Sequence, residues 1–338
     1  MTEEHPFLSI VVIGLNEAAH LEACLRSAQE ASWPSSKKEV LYVDSGSTDG
    51  SMEIAQGAGV RVLRLEDPKP NASKGRNLGW KNAQGELVQF LDGDMELHPD
   101  WLERGWTFLE DHPDVGLVAG IVSERHPENI FCRLFQLDWG DPKDGPVQKV
   151  GGAALYRMEA LKKSGGFDPS LGGGEEPELC WRLRNHHGFS VWFLAAPMTT
   201  HDLQMDSIRQ WWRRAVRDGK SFAAVSTRFF WTEDPLWRKP LVSILAVGSC
   251  LPLALLLSFL LSSFLPLLVF LLALGGLIAR KTLQWWKKTD DFKLSLLYAL
   301  HVYLVKFPLA LGAYKYLISR IFFKTSLRDK AAREGSEP

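Results

Sequence analysis

Two carboxylates, Asp92 and Asp94, stand one residue apart after the apolar run Leu87-Val88-Gln89-Phe90-Leu91, with Gly93 between them. At a strand end, a glycine permits the sharp turn that lets both acids face one hard divalent cation. Mg²⁺ and Mn²⁺ prefer such oxygen ligands and keep positions open for phosphate oxygens. A solvated acidic turn has the same composition, so the neighbouring residues decide the meaning of the pair. Val43-Asp44-Ser45-Gly46-Ser47-Thr48-Asp49-Gly50 is a second apolar run entering an acidic, Gly/Ser-rich turn, where Asp44 could accept hydrogen bonds from a base or ribose. Lys74, Arg76 and Asn77 lie together at a helix start and offer cations and an amide to a diphosphate. Gly172-Gly173-Gly174-Glu175-Glu176 is a glycine-rich loop that delivers carboxylates to a helix N-terminus, where one can serve as a general base.

The elements that carry these residues alternate. Strands are expected at Leu8–Ile13, Val40–Val43, Val60–Leu65 and Leu87–Leu91. Helices are expected at Glu17–Glu30, Ser51–Gly57, Ser73–Asn82 and Pro99–Glu110, with a later strand at Ser190–Leu194. Strands separated by helical stretches of this length imply βαβ units and a mostly parallel α/β sheet. Ligands of such sheets bind beyond the carboxyl ends of the strands. Asn16-Glu17, Asp44-Ser45 and Asp92-Gly93-Asp94 occupy three of those ends.

Six motifs stand in order: Ile13-Gly14-Leu15-Asn16-Glu17, Val43–Gly50, Lys74-Gly75-Arg76-Asn77, Phe90-Leu91-Asp92-Gly93-Asp94, Gly165-Gly166-Phe167-Asp168 and Gly174-Glu175-Glu176-Pro177-Glu178-Leu179-Cys180. This order resembles glycosyltransferase family 2 over about residues 7–202. The resemblance implies the GT-A fold, a Rossmann-like α/β domain that binds a nucleotide-sugar and a divalent metal. Position by position it implies that Glu17 approaches the nucleotide, that Asp44 contacts the base, and that Asp49 supports the turn. Arg76 and Asn77 would face ribose or diphosphate. Asp92 and Asp94 are similar to the metal and ribose ligands of the D-x-D motif, and His201 stands where some members place a histidine near the metal. Glu176 falls where the family has its general base, usually Asp, with Glu175 as the second candidate. The chain departs from the family pattern at Gly14, where Pro is usual, and at Glu176, which is one methylene longer than Asp. Glu178 and Arg182 read as an ordinary i, i+4 helix pair. Gln210-Trp211-Trp212-Arg213-Arg214 only loosely resembles the Q-x-x-R-W motif of processive synthases, so transfer of a single sugar is expected. Asn71-Ala72-Ser73 matches a glycosylation sequon without meaning in a cytoplasmic domain.

Composition sets the remaining bounds. The 338 residues carry 39 Lys+Arg and 40 Asp+Glu, which gives no reason to expect nucleic-acid binding. Cys24, Cys132, Cys180 and Cys250 are widely spaced, so neither a disulfide framework nor a structural zinc site is expected. The charge is unevenly distributed. Residues 241–338 hold 12 basic and 5 acidic side chains, whereas residues 1–240 hold 27 and 35. An acidic soluble part joined to a basic, apolar tail suits a protein on a bilayer of anionic lipids. Leu241–Ala279 is 39 residues without a charge, about twice the length needed to cross the hydrocarbon core, with a hairpin break expected at Ser262-Ser263 and Pro266. Residues 208–222 form a basic, Trp-rich helix suited to the membrane interface. Residues 294–323 are apolar but contain His301, Lys306 and Lys315, and are expected to be interfacial or re-entrant. Met1–Pro6 is polar and the first apolar run is short for a signal peptide, so a cytoplasmic N-terminus is expected.

The expected organisation is therefore a GT-A domain (1–204), basic interfacial helices and linker (205–240), a transmembrane hairpin (241–279), a cytoplasmic loop (280–293), a third membrane-associated helix (294–323) and a polar tail (324–338). The expected activity is an inverting, metal-dependent transfer (Mn²⁺ or Mg²⁺) of one sugar from a UDP-, GDP- or dTDP-linked donor. The acceptor would be a lipid-linked sugar, glycolipid or glycan hydroxyl in envelope or exopolysaccharide synthesis, at the inner membrane with the catalytic domain cytoplasmic. Two alternatives differ in kind: a polyprenyl-phosphate glycosyltransferase, which needs no base, and a membrane-anchored nucleotide-sugar-binding subunit without turnover.

Overall fold

A computed structural model describes residues 5–140 and 143–334; Met1–Glu4, Asp141, Pro142 and residues 335–338 of the polar tail lie outside the described set. The chain divides into two units. The first runs to Cys132 and resumes over Trp139–Gln204; the second comprises Arg133–Asp138 and everything from Met205 onward.

In chain order the first unit contains β1 (Leu8–Gly14), α1 (Leu21–Glu30), β2 (Lys38–Asp44), α2 (Ser51–Gly57), β3 (Arg61–Arg64), α3 (Ala72–Asn82), β4 (Leu87–Asp92), β5 (Met95–Leu97), α4 (Trp101–Asp111), β6 (Val115–Glu124), the start of α5 (Ile130–Trp139), β7 (Gly145–Pro146), β8 (Ala154–Arg157), α6 (Met158–Ser164), α7 (Glu175–His186) and β9 (Ser190–His201). The strands form one sheet in the order β3-β2-β1-β4-β8-β6-β9-β5, with β7 beside β9. β1, β2, β3 and β4 are mutually parallel, as the alternation in sequence requires. All seven residues of β1 are buried, because helices cover both faces of a central parallel strand. β8 runs antiparallel between β4 and β6, while β6 and β9 are parallel. The four N-terminal strands stand where the hydrophobic runs indicate. β9 is longer than the run Ser190–Leu194 and ends at His201, held by β6 along one edge and β5 along the other.

α3 begins where Asn71 caps the Lys74 N–H at 2.9 Å, and Asn71 Nδ2 donates to the Pro169 carbonyl. Gly14 has a packing reason. A Cβ at that position would sit 2.8 Å from the Tyr42 hydroxyl, which itself donates to Asp44 Oδ1 at 3.3 Å. Tyr42 thus occupies the space that a larger residue at 14 would fill.

The second unit contains α8 (Ile208–Phe229), α9 (Arg238–Leu260), α10 (Leu265–Thr289), α11 (Phe292–Leu304) and α12 (Lys306–Glu334), together with residues 133–138 of α5. The α9–α10 turn includes Ser262 with φ 47°, and Pro266 stands in the first turn of α10, where its missing N–H costs nothing. Three stretches are long and apolar enough to cross a membrane: Arg238–Leu260, Leu265–Thr289 and Phe292–Phe322. The third is interrupted at Val305, between α11 and α12. Pro308 lacks the N–H that would bond to Leu304, which accounts for the interruption. His301, costly in lipid as an isolated group, is buried with both ring nitrogens satisfied. Nε2 is 2.9 Å from Asp138 Oδ2, and Nδ1 accepts from Trp211 Nε1 at 3.0 Å. Tyr298 donates to the other Asp138 oxygen at 2.9 Å. Lys306 Nζ donates to Ser243 Oγ at 2.7 Å.

Candidate active site

The carboxyl ends of β1, β2 and β4 meet at one edge of the first unit. Backbone bonds tie them together: Ser45 N–H donates to Gly14 O and Gly93 N–H to Ile13 O, each at 2.9 Å. The β2–α2 turn is organised by its own acids. Asp44 Oδ2 accepts from the backbone N–H groups of Gly46 and Ser47 at 2.9 and 3.0 Å. Asp49 accepts from Ala18 N at 3.0 Å and from Ser51 Oγ at 2.6 Å. Its hydrogen bond from Ser51 is the main reason its carboxyl is held below the usual range. Asn16, in a left-handed conformation with φ 60°, accepts from Thr48 N and closes the turn against the β1 loop. Both acids named by the motif therefore build the β2–α2 turn, and Asp44 is almost wholly buried in doing so.

Arg76 is the centre of the site. Its side chain is 2% exposed and its guanidinium reaches three carboxylates. Nη2 donates to Asp92 Oδ1 at 2.8 Å, Nη1 donates to Glu175 Oε1 at 2.8 Å, and Nη1 lies 3.0 Å from Glu176 Oε1. Arg76, expected to face ribose or diphosphate, uses both Nη groups to join β4 to the start of α7, while its buried Nε meets no acceptor. Asn77 is likewise turned inward. It donates to Phe167 O at 2.7 Å and accepts from Phe167 N and Trp80 Nε1 at 3.0 and 2.9 Å, so it anchors the Gly166-Phe167 loop rather than a ligand.

Glu175 and Glu176 open α7 after Gly174, which takes the left-handed conformation (φ 81°) that glycine adopts without strain. Glu175 is 5% exposed and its Oε2 is buried without a partner; Glu176 is 13% exposed and is the more accessible of the two. Burial, and then the charge of Glu175, push the Glu176 carboxyl up to about 7, against the pull of Arg76. Gly152, before β8, makes this arrangement possible. A Cβ there would lie 2.7 Å from Arg76 Nη2, 2.8 Å from Asp92 Oδ2 and 3.4 Å from Glu176 Oε1. Glu178 is buried and holds Arg182 through two bonds of 2.8 Å, the helix pair that the i, i+4 spacing suggests.

On the other side of Asp92 lies a second acidic group. Glu17 reaches towards Gly93, where a Cβ would be 2.9 Å from Glu17 Cγ. Burial, then the charges of Asp94 and Asp92, lift the Glu17 carboxyl to about 7. Asp94 Oδ2 is 3.4 Å from His201 Nε2, and His201 Nδ1 is 3.5 Å from Glu124 Oε2. Burial opposes charge on His201, but Asp94 and Glu124 outweigh it and raise its pKa to about 9. Glu124, at the end of β6, also accepts from Leu203 N at 3.0 Å. Sequence reasoning missed Glu124 and Gly152. The apolar run Val115–Val122 before Glu124 and the Gly151-Gly152 pair before Ala153 are the signals that could have located them.

The donor set bears on a metal. Among the described residues, no three His, Cys, Asp or Glu side chains converge as a protein-only metal site. Asp94 Oδ1 is nevertheless buried without a hydrogen-bond partner, and its other oxygen faces His201. Glu17, Asp92 and Asp94 crowd negative charge there, as the raised Glu17 carboxyl reports. Such a set fits a hard cation that takes its remaining ligands from phosphate and water.

Residues 9–165 match the family model described as Glycosyl transferase family 2. The first unit belongs to that family. Glycosyltransferase AglE of Haloferax volcanii is 37% identical over 131 residues, which are 38% of this chain and 43% of that protein. The succinoglycan biosynthesis protein ExoA of Rhizobium meliloti is 30% identical over 200 residues, 54% of this chain and 59% of that one. The chain thus spans about half the length of the curated relatives it matches. The mannosyltransferase PcManGT of Pyrobaculum calidifontis, solved with GDP-Man and Mn²⁺, superposes with a TM-score of 0.59 at 20% identity, covering 88% of this chain and 87% of that one. At that identity the likeness concerns the fold: a mostly parallel mixed sheet with flanking helices, of GT-A type, followed by apolar helices.

Proposed function

We propose that the protein transfers one sugar, with inversion, from a nucleotide-diphospho-sugar to a hydroxyl of a lipid-linked or glycan acceptor at a membrane, as a hexosyltransferase (EC 2.4). One observation carries the reading. A buried, accessible-edged carboxylate with a pKa near 7, Glu176, shares a single guanidinium with Asp92 of the D-G-D turn. A base works best with a pKa close to the operating pH. In the reaction, the acceptor oxygen bonds to the anomeric carbon from the face opposite the diphosphate. Glu176 takes the hydroxyl proton, and the bond from the anomeric carbon to the diphosphate oxygen breaks to release the nucleoside diphosphate.

Arg76 orients Glu176 and keeps Asp92 in place from within the protein. Asp94 and His201 would hold Mn²⁺ or Mg²⁺, with Asp92 and Glu17 adding negative potential. Bound there, the cation would supply positive charge for the departing diphosphate. The Asp44–Gly50 loop would line the nucleoside side. GDP-Man with Mn²⁺ in a protein of the same fold supports a metal and a nucleotide-sugar here, without choosing among UDP, GDP and dTDP. The names of the curated relatives support a glycan acceptor, and the apolar helices support a membrane-associated one. We place the catalytic unit on the cytoplasmic side of an inner membrane.

Glu176→Gln tests the assignment. Nucleotide release should fall ~10²–10⁴-fold, the usual loss for a positioned base, while donor affinity measured by calorimetry stays close to that of the parent. The parent rate should fall below about pH 7, because only the deprotonated carboxylate accepts the proton. A nearly silent Glu176→Gln would favour an acceptor that is already an anion, as in polyprenyl-phosphate transfer. Donor binding without release on any acceptor would favour a binding subunit.

A further inference from the structure

Length and composition allow Phe292–Phe322 to cross a bilayer, yet the packing within the second unit argues otherwise. α8 and α12 meet at their backbones. A Cβ on Gly219 would lie 2.0 Å from Leu309 O, and one on Gly312 would lie 2.0 Å from Val216 O. Further along, Ala223 packs with Ala313, and Thr227 Oγ1 lies 3.5 Å from Arg320 Nη1. From Gly219 with Leu309, through Ala223 with Ala313, to Thr227 with Arg320 the partners advance together, so α8 and α12 run parallel for about two turns. What holds for the direction of one holds for the other.

α8 cannot thread hydrocarbon. Arg209, Arg213, Arg217, Lys220 and Arg228 are all exposed on it and distributed along nearly its whole length. Arg209, Arg213, Arg217 and Lys220 fall at spacings of 4, 4 and 3 and form one stripe, away from the small buried face Ala215, Gly219, Ala223 and Ser226. Lys315, midway along the apolar part of α12, is exposed as well.

α9 meets α12 differently. Its contacts fall between Leu241 and Ser249: Leu241 with Ala313, Ser243 with Lys306, Gly248 against Ala310, and Ser249 with Tyr314. That length of α9 is about 12 Å, the width of one helix. The α9 pairs do not advance together, since Leu241 meets Ala313 while Ser243 meets Lys306 and Gly248 meets Ala310, so α9 crosses α12 rather than following it. Beyond the crossing, α9 and α10 present Leu253, Leu256, Phe259, Leu268 and Leu272 outward.

We infer that α12 does not cross the membrane: only the α9–α10 hairpin does, and α8 and α12 form a two-helix platform in the plane of one leaflet, with the Arg/Lys stripe of α8 on anionic phospholipid headgroups. The inference rests on the membrane association proposed above. It places Lys315 and the α8 cations at the charged surface, where they are attracted by anionic lipid rather than desolvated. It also leaves residues 280–293 and the C-terminal tail on the same side of the bilayer.

The test uses the full chain in vesicles containing phosphatidylglycerol, with Cys250→Ser as background. Single nitroxide labels are placed at Leu311→Cys, Ile318→Cys and Leu272→Cys, and depth is read from oxygen and nickel accessibility. Positions 311 and 318 are seven residues apart on one exposed face. A flat α12 puts them at equal depth near the headgroups, whereas a spanning α12 separates them by about 10 Å. Leu272→Cys should lie near the bilayer centre. Depths at 311 and 318 differing by about 10 Å, with 272 deep, would overturn the platform and leave the membrane reading intact. A shallow 272 would overturn both. As a second arm, an impermeant thiol reagent should reach Asp290→Cys and Ala332→Cys from the same side of sealed vesicles. Labelling from opposite sides would overturn the platform.

Discussion

Arg76→Met removes the one cation that joins three carboxylates, and the structure sets the size of the effect. The side chain is 2% exposed, and its contacts to Asp92, Glu175 and Glu176 are 2.8, 2.8 and 3.0 Å. Methionine fills similar volume, so the change isolates charge from packing. Breaking a buried pair by deleting one member typically costs ~3–5 kcal/mol, because the remaining charge is left uncompensated. For a domain of this size that corresponds to roughly 6–20 °C in melting temperature. The penalty should depend on pH. Arg76 lowers the Glu176 pKa, so its loss raises that pKa further above the unfolded value. A group whose folded pKa is raised contributes stability at low pH and loses it as pH rises through the folded pKa. The variant should therefore lie closest to the parent in melting temperature near pH 5 and fall furthest behind above pH 7. The acid limb of its nucleotide-release profile should move to higher pH. The assay is tryptophan-fluorescence melting in detergent from pH 5 to 8, beside the pH–rate profile. A variant that melts within 2 °C of the parent across that range would refute the description of Arg76 as the electrostatic centre of the site.

Gly152→Ala places a methyl within 2.8 Å of both Arg76 Nη2 and Asp92 Oδ2, so it should cost ~1–3 kcal/mol of stability and lower turnover, checked by melting and release assays. Asp94→Ala should weaken Mn²⁺ binding at least about 10-fold, read from the free-Mn²⁺ EPR signal in the presence of nucleoside diphosphate. Asn77→Ala strands the Phe167 N–H and the Trp80 indole N–H and should cost ~1–3 kcal/mol in melting while leaving donor affinity, by calorimetry, near that of the parent.

The central strands were legible because a parallel strand covered on both faces must be mostly apolar, and Leu8–Ile13 and Leu87–Leu91 are, apart from the buried, hydrogen-bonded Ser9 and Gln89. β8 and β6 were not. β8 is a four-residue strand whose pairing with β4 and β6 depends on tertiary placement rather than on local pattern. The loop-end acids Asp44, Asp92 and Asp94 could be found from spacing alone. Their partners could not, since Arg76 meets Glu175 across 99 residues of chain. Sequence placed Arg76 beside ribose or diphosphate because an arginine near a turn has that chemistry; only the fold reveals that both of its Nη groups already meet carboxylates. Asn77 is the same case in a neutral side chain. Glu178–Arg182 was legible because its geometry is local to one helix turn.

Met95 of β5 pairs directly with His201 of β9, and Asp202 N–H donates to Asp94 O at 3.3 Å. The separation of Asp94 from His201 is thus a register, set first by main-chain bonds between two strands, with the Asp94–His201–Glu124 side-chain contacts built on it. Drift in the helices outside can alter the surface freely without changing it. A slip of one residue between these strands would carry His201 to the opposite face of the sheet, so this pair of donors is either aligned or lost as a whole. The spacing behaves as a discrete quantity: substitutions among the flanking side chains cannot tune it gradually, and an inserted or deleted residue in the short β4–β5 connection would abolish it in one step.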